Sequence, residues 1–83
     1  MSLMPAQSTS MALDLRGLNC PLPVLRTGKA LRALKDGDLL IVECTDPLAA
    51  IDIPHLVRET GDALERQEQV NGAIAFHIRR RRW

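Results

Sequence analysis

Hydrophobic and polar residues alternate with a period of two along parts of the chain, a pattern typical of strands that bury one face. This alternation runs over 11–16, 63–69 and 73–79. A nearly continuous apolar run at 39–42 predicts a further strand, central in its sheet and covered on at least one face. Because Asn71-Gly72 separates the last two alternating segments, these segments are predicted to form a tight hairpin.

A first segment with apolar residues at helical spacing extends over 21–35. Its predicted inward-facing positions are Val24, Leu25, Gly28, Leu31 and Leu34. Asp36-Gly37-Asp38 follows it and is predicted to end the helix, with the glycine just past its last turn.

A second helix is predicted to begin at Asp46-Pro47, where an Asx cap precedes a proline, and to end at Gly61. Pro54 lies inside this segment, so the pattern leaves two alternatives. Either the helix is kinked at Pro54, or a short turn over 47–52 is followed by a separate helical piece capped by Asp52.

The predicted element order is therefore βαβαββ. The first strand, helix and second strand form a right-handed parallel crossover, and the final hairpin is antiparallel. This order predicts an α+β fold, a two-layer sandwich with two helices on one face of a mixed four-stranded sheet. At 83 residues the chain has room for one core, predicted over 11–80. Residues 1–10 are predicted to be a disordered tail or a cloning remnant, and 81–83 a basic tail.

Composition argues against several classes of function. Aromatic residues make up 2% of the chain, which argues against direct nucleic-acid binding by base stacking. No apolar run is long enough to span a bilayer, and no signal-peptide pattern is present, so no membrane partner is expected. Two cysteines without a secretion signal indicate a reducing cytoplasm, and no Cys/His spacing indicates a metal site.

The net charge of +1 conceals a basic end, Arg79-Arg80-Arg81-Arg82, on a body in which acidic residues outnumber basic ones. A solvated, frayed terminus that keeps the protein soluble is the favoured interpretation of this end. Contact with RNA, an acidic protein or a membrane surface is the alternative.

The most informative residue is Cys20, which the pattern places at the cap of the first helix, with Pro21 at the first helical position. Pro23 lies in the same turn, where a missing N–H breaks no helical hydrogen bond. Because backbone donors and the helix dipole stabilise an anion there, the pKa of the Cys20 thiol is predicted to be lowered. Arg16 and Arg26 are predicted to add positive potential. The alternative, a cap residue without chemistry, is disfavoured because cysteine caps helices poorly.

Cys44 is predicted to be a buried core residue, with a role as resolving partner of Cys20 as the alternative. No catalytic base is evident from the sequence. His55 is predicted to face solvent on the second helix, and His77 to face away from the helices. Acyl transfer is therefore unsupported, and sulfur exchange with a persulfide or a disulfide remains.

The stretch from Leu13 to Pro23, LDLRGLNCPLP, carries the pattern Asp-x-x-Gly-Leu-x-Cys-Pro-x-Pro. In this pattern the chain resembles the TusA/SirA-like sulfur-carrier family. The resemblance covers about residues 12–80 and continues through Lys29, Gly37, Asp46-Pro47, Asp52-Ile53-Pro54 and the final hairpin. The chain departs from the thiouridine carriers of the family at Leu22, where they have Glu, and at Gly28-Lys29, where they have Arg-Lys.

The resemblance implies that Cys20 accepts a sulfane sulfur as a persulfide from a cysteine desulfurase or rhodanese-type donor and passes it to a downstream acceptor protein. The protein would be a sulfurtransferase that relays sulfur, rather than a hydrolytic or multi-turnover catalyst, and would need no cofactor. The open pathways are tRNA thiolation, molybdenum cofactor synthesis, and other sulfur or selenium metabolism. The alternatives are a non-catalytic regulatory module that binds RNA or protein, and a thiol-disulfide switch of Cys20 with Cys44.

Further site residues are predicted around the thiol. Those expected to support it in its turn are Arg16, Gly17, Pro21 and Pro23. Arg26, Lys29 and Arg32 recur every three residues along one helix face and are predicted to dock or steer an acidic partner, with a solvated face as an equal alternative. Asp46 is predicted either to line the same partner surface or only to cap the second helix.

Overall fold

The computed structural model describes residues 10–81, which form four strands and two helices in the predicted order. The elements are β1 (Ser10–Leu15), α1 (Leu22–Arg32), β2 (Leu39–Cys44), α2 (Ala49–Thr60), β3 (Ala63–Val70) and β4 (Ala73–Arg79). The predicted tail at 1–10 therefore lies outside the described residues except for its last residue, which begins β1. Residues 82–83 of the predicted basic tail also lie outside them.

The four strands form one mixed sheet in the order β1-β2-β4-β3. β1 and β2 are parallel, and β4 pairs antiparallel with both β2 and β3. Leu13 lies opposite Val42, and Val42 lies opposite Phe76, so apolar side chains of one face line up across the central strands. The predicted mixed sheet is confirmed.

Both helices pack on the face that Val42 and Phe76 share. Leu31 of α1 and Ile53 and Val57 of α2 are buried in the same apolar cluster as these strand residues. Phe76 has no exposed surface, and burying a side chain of this size contributes about 3 kcal/mol to folding. The predicted two-layer sandwich, with both helices on one face of the sheet, is confirmed.

The inward face of α1 differs from the prediction at Leu25, which is 59% exposed. The buried residues of this helix are Pro23, Thr27, Gly28 and Leu31. With 3.6 residues per turn, a face centred on 27 and 31 turns position 25 toward solvent. The prediction that Leu25 faces inward is therefore wrong, and the first turns of α1 carry two exposed leucines, Leu22 and Leu25.

α2 runs as one helical element through Pro54, so of the two alternatives the separate helical piece capped by Asp52 is wrong. A proline at this position lacks one amide, the one that would bond to the Ala50 carbonyl in the first turn, and the packing of Ile53 and Val57 holds the segment together. Gly61 ends the helix as predicted, in the left-handed conformation at φ +82°.

The hairpin between β3 and β4 is confirmed at Asn71-Gly72. Both residues have positive φ, +49° and +80°, which is the backbone conformation of the two-residue turns that suit the twist of paired strands. Asparagine and glycine are the residues that adopt it most readily, which explains why the sequence alone identifies this turn.

Two of the C-terminal arginines are held by the fold. Arg79 donates hydrogen bonds to the Glu65 carboxylate at 3.1 and 3.2 Å and to the Gly37 carbonyl at 2.9 Å. The side chain of Arg80 is 14% exposed and lies 2.9 Å from the carboxylate of Asp62, which is fully buried. The favoured interpretation of this end as frayed is therefore wrong for Arg79 and Arg80, because each has a carboxylate partner brought close by the tertiary fold.

Candidate functional site

Cys20 lies in the loop between β1 and α1, at the end of the sheet where the parallel strands β1 and β2 finish in register. Gly17 turns the chain at φ +86° and donates its N–H to Thr45 Oγ1, in the loop after β2, at 2.8 Å. The chain then enters α1 through a cis Cys20–Pro21 peptide bond. Gly17 therefore joins the Cys20 loop to the loop after β2.

Asp46, which follows β2, holds the backbone of Cys20. Its Oδ2 accepts a hydrogen bond from the Cys20 N–H at 2.6 Å, and its Oδ1 accepts one from the Leu48 N–H at 3.1 Å. Its carbonyl accepts from the Ala49 N–H at 3.0 Å in the turn that leads into α2. One aspartate therefore connects the thiol loop to the start of α2, a role that the sequence does not reveal.

The Cys20 thiol faces a second carboxylate. Its Sγ donates a hydrogen bond to Asp52 Oδ2, in the first turn of α2, at 3.5 Å. Loss of hydration raises the pKa of the Cys20 thiol, the hydrogen bond to Asp52 and the charge of Asp52 raise it further, and the charge of Asp46 adds to the rise. The prediction of a lowered pKa for Cys20 is therefore wrong.

The start of α1 explains why the helix does not lower this pKa. The helix begins at Leu22, with Pro21 in the cap position, one residue later than predicted. The Leu22 N–H donates to the Asn19 carbonyl at 2.9 Å, so it is already bonded and does not serve the Cys20 thiol. The Leu22 N–H is therefore bonded within the loop and is not available to stabilise a thiolate at Cys20.

Arg16 also does not act as predicted, because it is paired with Asp14. Its Nε and Nη2 donate to the two carboxylate oxygens at 2.8 and 2.9 Å. This hydrogen-bonded pair lowers the pKa of Asp14 to about 2 and raises the pKa of Arg16. Within the described residues, the charges that shift the pKa of Cys20 are carboxylates and not arginines.

Cys20 lines a groove of about 300 Å³ between α1 and α2. Its lining residues are Cys20, Pro21, Val24, Asp52, His55, Leu56 and Glu59. His55 is exposed as predicted, and its Nε2 lies 3.3 Å from Glu59 Oε2. Sequence reasoning missed the groove and the acidic side chains on its α2 side. The available signal was the spacing of Asp52, His55 and Glu59, which places three polar residues on one helix face.

The chain and its fold match known proteins. A family model described as sulfurtransferase TusA matches residues 11–80. The chain belongs to the TusA family. The sulfur carrier protein TusA of Allochromatium vinosum is 40% identical over 68 residues, which are 82% of this chain and 90% of the relative. The sulfur carrier protein TusA of Pseudomonas aeruginosa is 38% identical over 74 residues, 89% of this chain and 94% of that one.

A solved structure supports the same family. The crystal structure of a SirA-like protein from Desulfitobacterium hafniense superposes with a TM-score of 0.76 at 27% identity, covering 87% of this chain and 99% of that one. The predicted resemblance to the TusA/SirA-like family is therefore confirmed in sequence and in fold.

A second groove, of about 440 Å³, opens on the outer side of α1 in this TusA-family fold. It is lined by Leu22, Leu25, Arg26 and Lys29. Arg32 is not among the lining residues of this groove. Gly28 is buried, and a Cβ added there would lie 3.7 Å from Arg32 Nη1 and 3.9 Å from Leu56 Cδ1. Of the two departures from the thiouridine carriers, Leu22 therefore lies on an exposed surface, whereas Gly28 lies where α1 meets α2.

Cys44 lies in the core at the end of β2 with no exposed surface, which confirms its predicted burial. Burial raises the pKa of its thiol to about 11, and the charge of Asp46 adds to the rise. This thiol is therefore protonated at neutral pH and out of contact with solvent.

Neither described helix combines the length and the apolar character needed to cross a membrane. Among residues 10–81, no group of three or more His, Cys, Asp and Glu side chains has an arrangement that could hold a metal ion.

Proposed function

We propose that this protein is a sulfur carrier that holds a sulfane sulfur as a persulfide on Cys20 and passes it to an acceptor. The observation that carries the proposal is the exposed Cys20 thiol at the end of the parallel strand pair, in a chain of the TusA sulfurtransferase family. The loop holds this cysteine by its backbone, through Asp46, and leaves the sulfur accessible for exchange.

The transfer is a thiol exchange that balances without an oxidant or a reductant. The thiolate of Cys20 attacks the outer sulfur of a donor persulfide, a new S–S bond forms at Sγ, and the S–S bond of the donor breaks. The donor cysteine leaves as a thiolate with the electron pair of the broken bond, and a proton returns to it. Before the attack, Asp52 Oδ2 accepts the hydrogen bond from Sγ and so holds the protonated form of the thiol, which must lose its proton to react.

A cysteine desulfurase or a rhodanese-type protein is the proposed donor, and a further sulfur-binding protein the acceptor, in a reducing cytoplasm. The acceptor protein that binds determines which pathway receives the sulfur: tRNA thiolation, molybdenum cofactor synthesis, or other sulfur and selenium metabolism. The proposed docking surface is the groove on the outer side of α1, where Leu22 and Leu25 offer apolar area and Arg26 and Lys29 offer positive charge. Such a surface fits an acidic partner with an apolar centre. Arg32 is the proposed continuation of this basic face.

The alternative of a module that binds RNA through its arginine tail loses part of its basis. Arg79 and Arg80 are engaged by Glu65 and Asp62, so two of the four arginines serve the fold. A thiol-disulfide switch between Cys20 and Cys44 would require the buried Cys44 to become accessible.

Sulfur loading tests the proposal directly. After incubation with a cysteine desulfurase and cysteine, mass spectrometry of the intact protein is expected to show the gain of one sulfur atom, reversed by dithiothreitol. Cys20→Ser is expected to abolish the gain, whereas Cys44→Ser, the matched control, is expected to keep it. Failure of the native chain to load with both desulfurase and rhodanese donors would overturn the proposal.

A further inference from the structure

The groove beside Cys20 has a strongly one-sided charge. Its α2 wall carries the carboxylates of Asp52 and Glu59, and none of its lining residues is a lysine or an arginine. Asp46 adds a third carboxylate, bonded to the Cys20 N–H at 2.6 Å. We call Asp52 and Glu59 the acidic wall.

The remaining groove surface is mainly apolar, contributed by Pro21, Val24 and Leu56. Apolar walls exclude water and strengthen the action of nearby charges on a group that enters. On the same wall, His55 Nε2 lies 3.3 Å from Glu59 Oε2. The hydrogen bond from Sγ to Asp52 Oδ2, at 3.5 Å, shows that this carboxylate reaches the reacting atom.

Three cations that are close to Cys20 in the sequence do not line its groove. Arg26 and Lys29 line the separate groove on the outer side of the helix, and Arg16 is paired with Asp14. In agreement with this geometry, the charges that raise the pKa of Cys20 are those of Asp52 and Asp46.

We propose that the acidic wall makes Cys20 selective for sulfur compounds and partner segments that carry positive charge beside the reacting sulfur, and against anionic ones. The inference rests on the proposed function, in which Cys20 exchanges sulfur, and it adds the substrate class. Small anionic thiols and persulfides are disfavoured, and the donor that reacts well brings a lysine or arginine next to its own persulfide. Asp52 and Glu59 are thereby specificity-determining residues.

The physical reason is that the reacting sulfur atoms must approach to bonding distance, with the charges of the incoming compound a few ångströms away. At such separations a unit charge and a carboxylate interact appreciably even in water, and more strongly beside apolar walls. A positive group is attracted and also offsets the charges that disfavour the thiolate. A negative group is repelled by the same carboxylates.

The test measures the rate at which Cys20 forms mixed disulfides with three small symmetric disulfides. Cystamine is cationic, hydroxyethyl disulfide is neutral, and dithiodipropionate is anionic. In each reaction the thiolate attacks one sulfur, the S–S bond breaks, and the other half leaves as a thiolate. Rates are followed by peptide-resolved mass spectrometry on the full chain at pH 8 and low ionic strength, and divided by the rates of an uncharged cysteine derivative.

The ratio of the normalised rates with cystamine and dithiodipropionate is expected to be about tenfold or more. This ratio does not depend on the fraction of thiolate, because the same nucleophile reacts in both cases. It is expected to fall toward one in 1 M salt, where the screening length is about 3 Å. Asp52→Asn and Glu59→Gln are each expected to reduce the ratio by about threefold.

Glu65→Gln, on the distant edge strand β3, changes the net charge by the same amount and is the matched control, expected to keep the ratio. The inference would be overturned by a rate ratio near one for the native chain, or by an equal fall of this ratio in all three variants. Absence of any reaction of Cys20 with cystamine would also overturn it. Sulfur loading without charge selectivity would overturn this inference alone. Charge selectivity without sulfur loading would instead overturn the proposed function.

Discussion

Cys20 and Cys44 lie at the same end of the sheet and share the influence of one aspartate, Asp46, yet they differ in exposure. In both thiols the pKa is raised, first by loss of hydration and further by the charge of Asp46. Cys20 is exposed in a loop, whereas Cys44 is sealed in the core. Access to solvent and partners therefore separates Cys20, the proposed exchanging thiol, from Cys44.

A raised pKa suits a carrier that exchanges sulfur only with its partners. The raised pKa favours the protonated form of the Cys20 thiol in the free protein, which slows its reaction with incidental oxidants and electrophiles. Loss of hydration is the first cause of the raised pKa and Asp52 the next, so a partner that brings positive charge to Asp52 would weaken the second cause and favour the thiolate. Reactivity then depends on complex formation.

The largest difference is expected in alkylation of the folded protein. With iodoacetamide at pH 8, Cys20 is expected to react at least about a thousandfold faster than Cys44, because Cys44 must wait for unfolding of the core. Peptide-resolved mass spectrometry of a time course measures both rates. Comparable rates in the native chain, with protection of neither cysteine, would break the comparison between them.

The second-largest difference between the two cysteines is expected in the effect of their substitution on the free energy of unfolding. Cys44→Ser places a hydroxyl in the apolar core and is expected to lower the free energy of unfolding by about 1–3 kcal/mol. Cys20→Ser changes an exposed side chain and is expected to leave this free energy unchanged within error. Urea denaturation of the two variants and the native chain measures it. A larger loss for Cys20→Ser would show that the loop, rather than the core, depends on its cysteine.

The smallest effect concerns the charges around Cys20. The rate of its reaction with neutral iodoacetamide is expected to rise with pH through a midpoint above the ordinary value of a thiol, because the protonated form is favoured. Asp52→Asn removes one cause, so its midpoint is expected to shift downward and its rate at pH 8 to rise severalfold. Glu65→Gln, far from the thiol, is the control. A pH profile unchanged by Asp52→Asn would contradict the role assigned to this carboxylate.

The fold could be predicted from the sequence because the patterns that indicate burial lie within short segments of the chain. Alternation over the strands, helical spacing over 21–35 and the Asn71-Gly72 turn each follow from residues adjacent in the chain, and all appear in the structure. Errors arose where packing decides between neighbouring positions. Leu25 has the spacing of a core residue, but the contact between α1 and α2 falls on Gly28 instead.

Only part of the candidate site could be predicted from the sequence. Cys20 was identified from its motif, and Gly17 from its turn, since both are properties of one short segment. From its sequence position Asp52 is at most a cap for a separate helical piece, which the structure does not contain, and nothing local indicates its contact with the thiol. Arg16 was assigned to the thiol although its own neighbour, Asp14, was the closer partner.

By itself, the sequence determined the order of elements, the hairpin turn and the family, and it singled out Cys20 as the candidate thiol. Only the tertiary structure decided how that thiol behaves, because its electrostatic surroundings come from Asp46 and Asp52, which are 26 and 32 residues away in the chain. Electrostatic interactions depend on distance in space and on the medium between the charges. A local pattern of residues contains neither quantity, so it could place Cys20 at a helix start but could not show that two carboxylates meet it there.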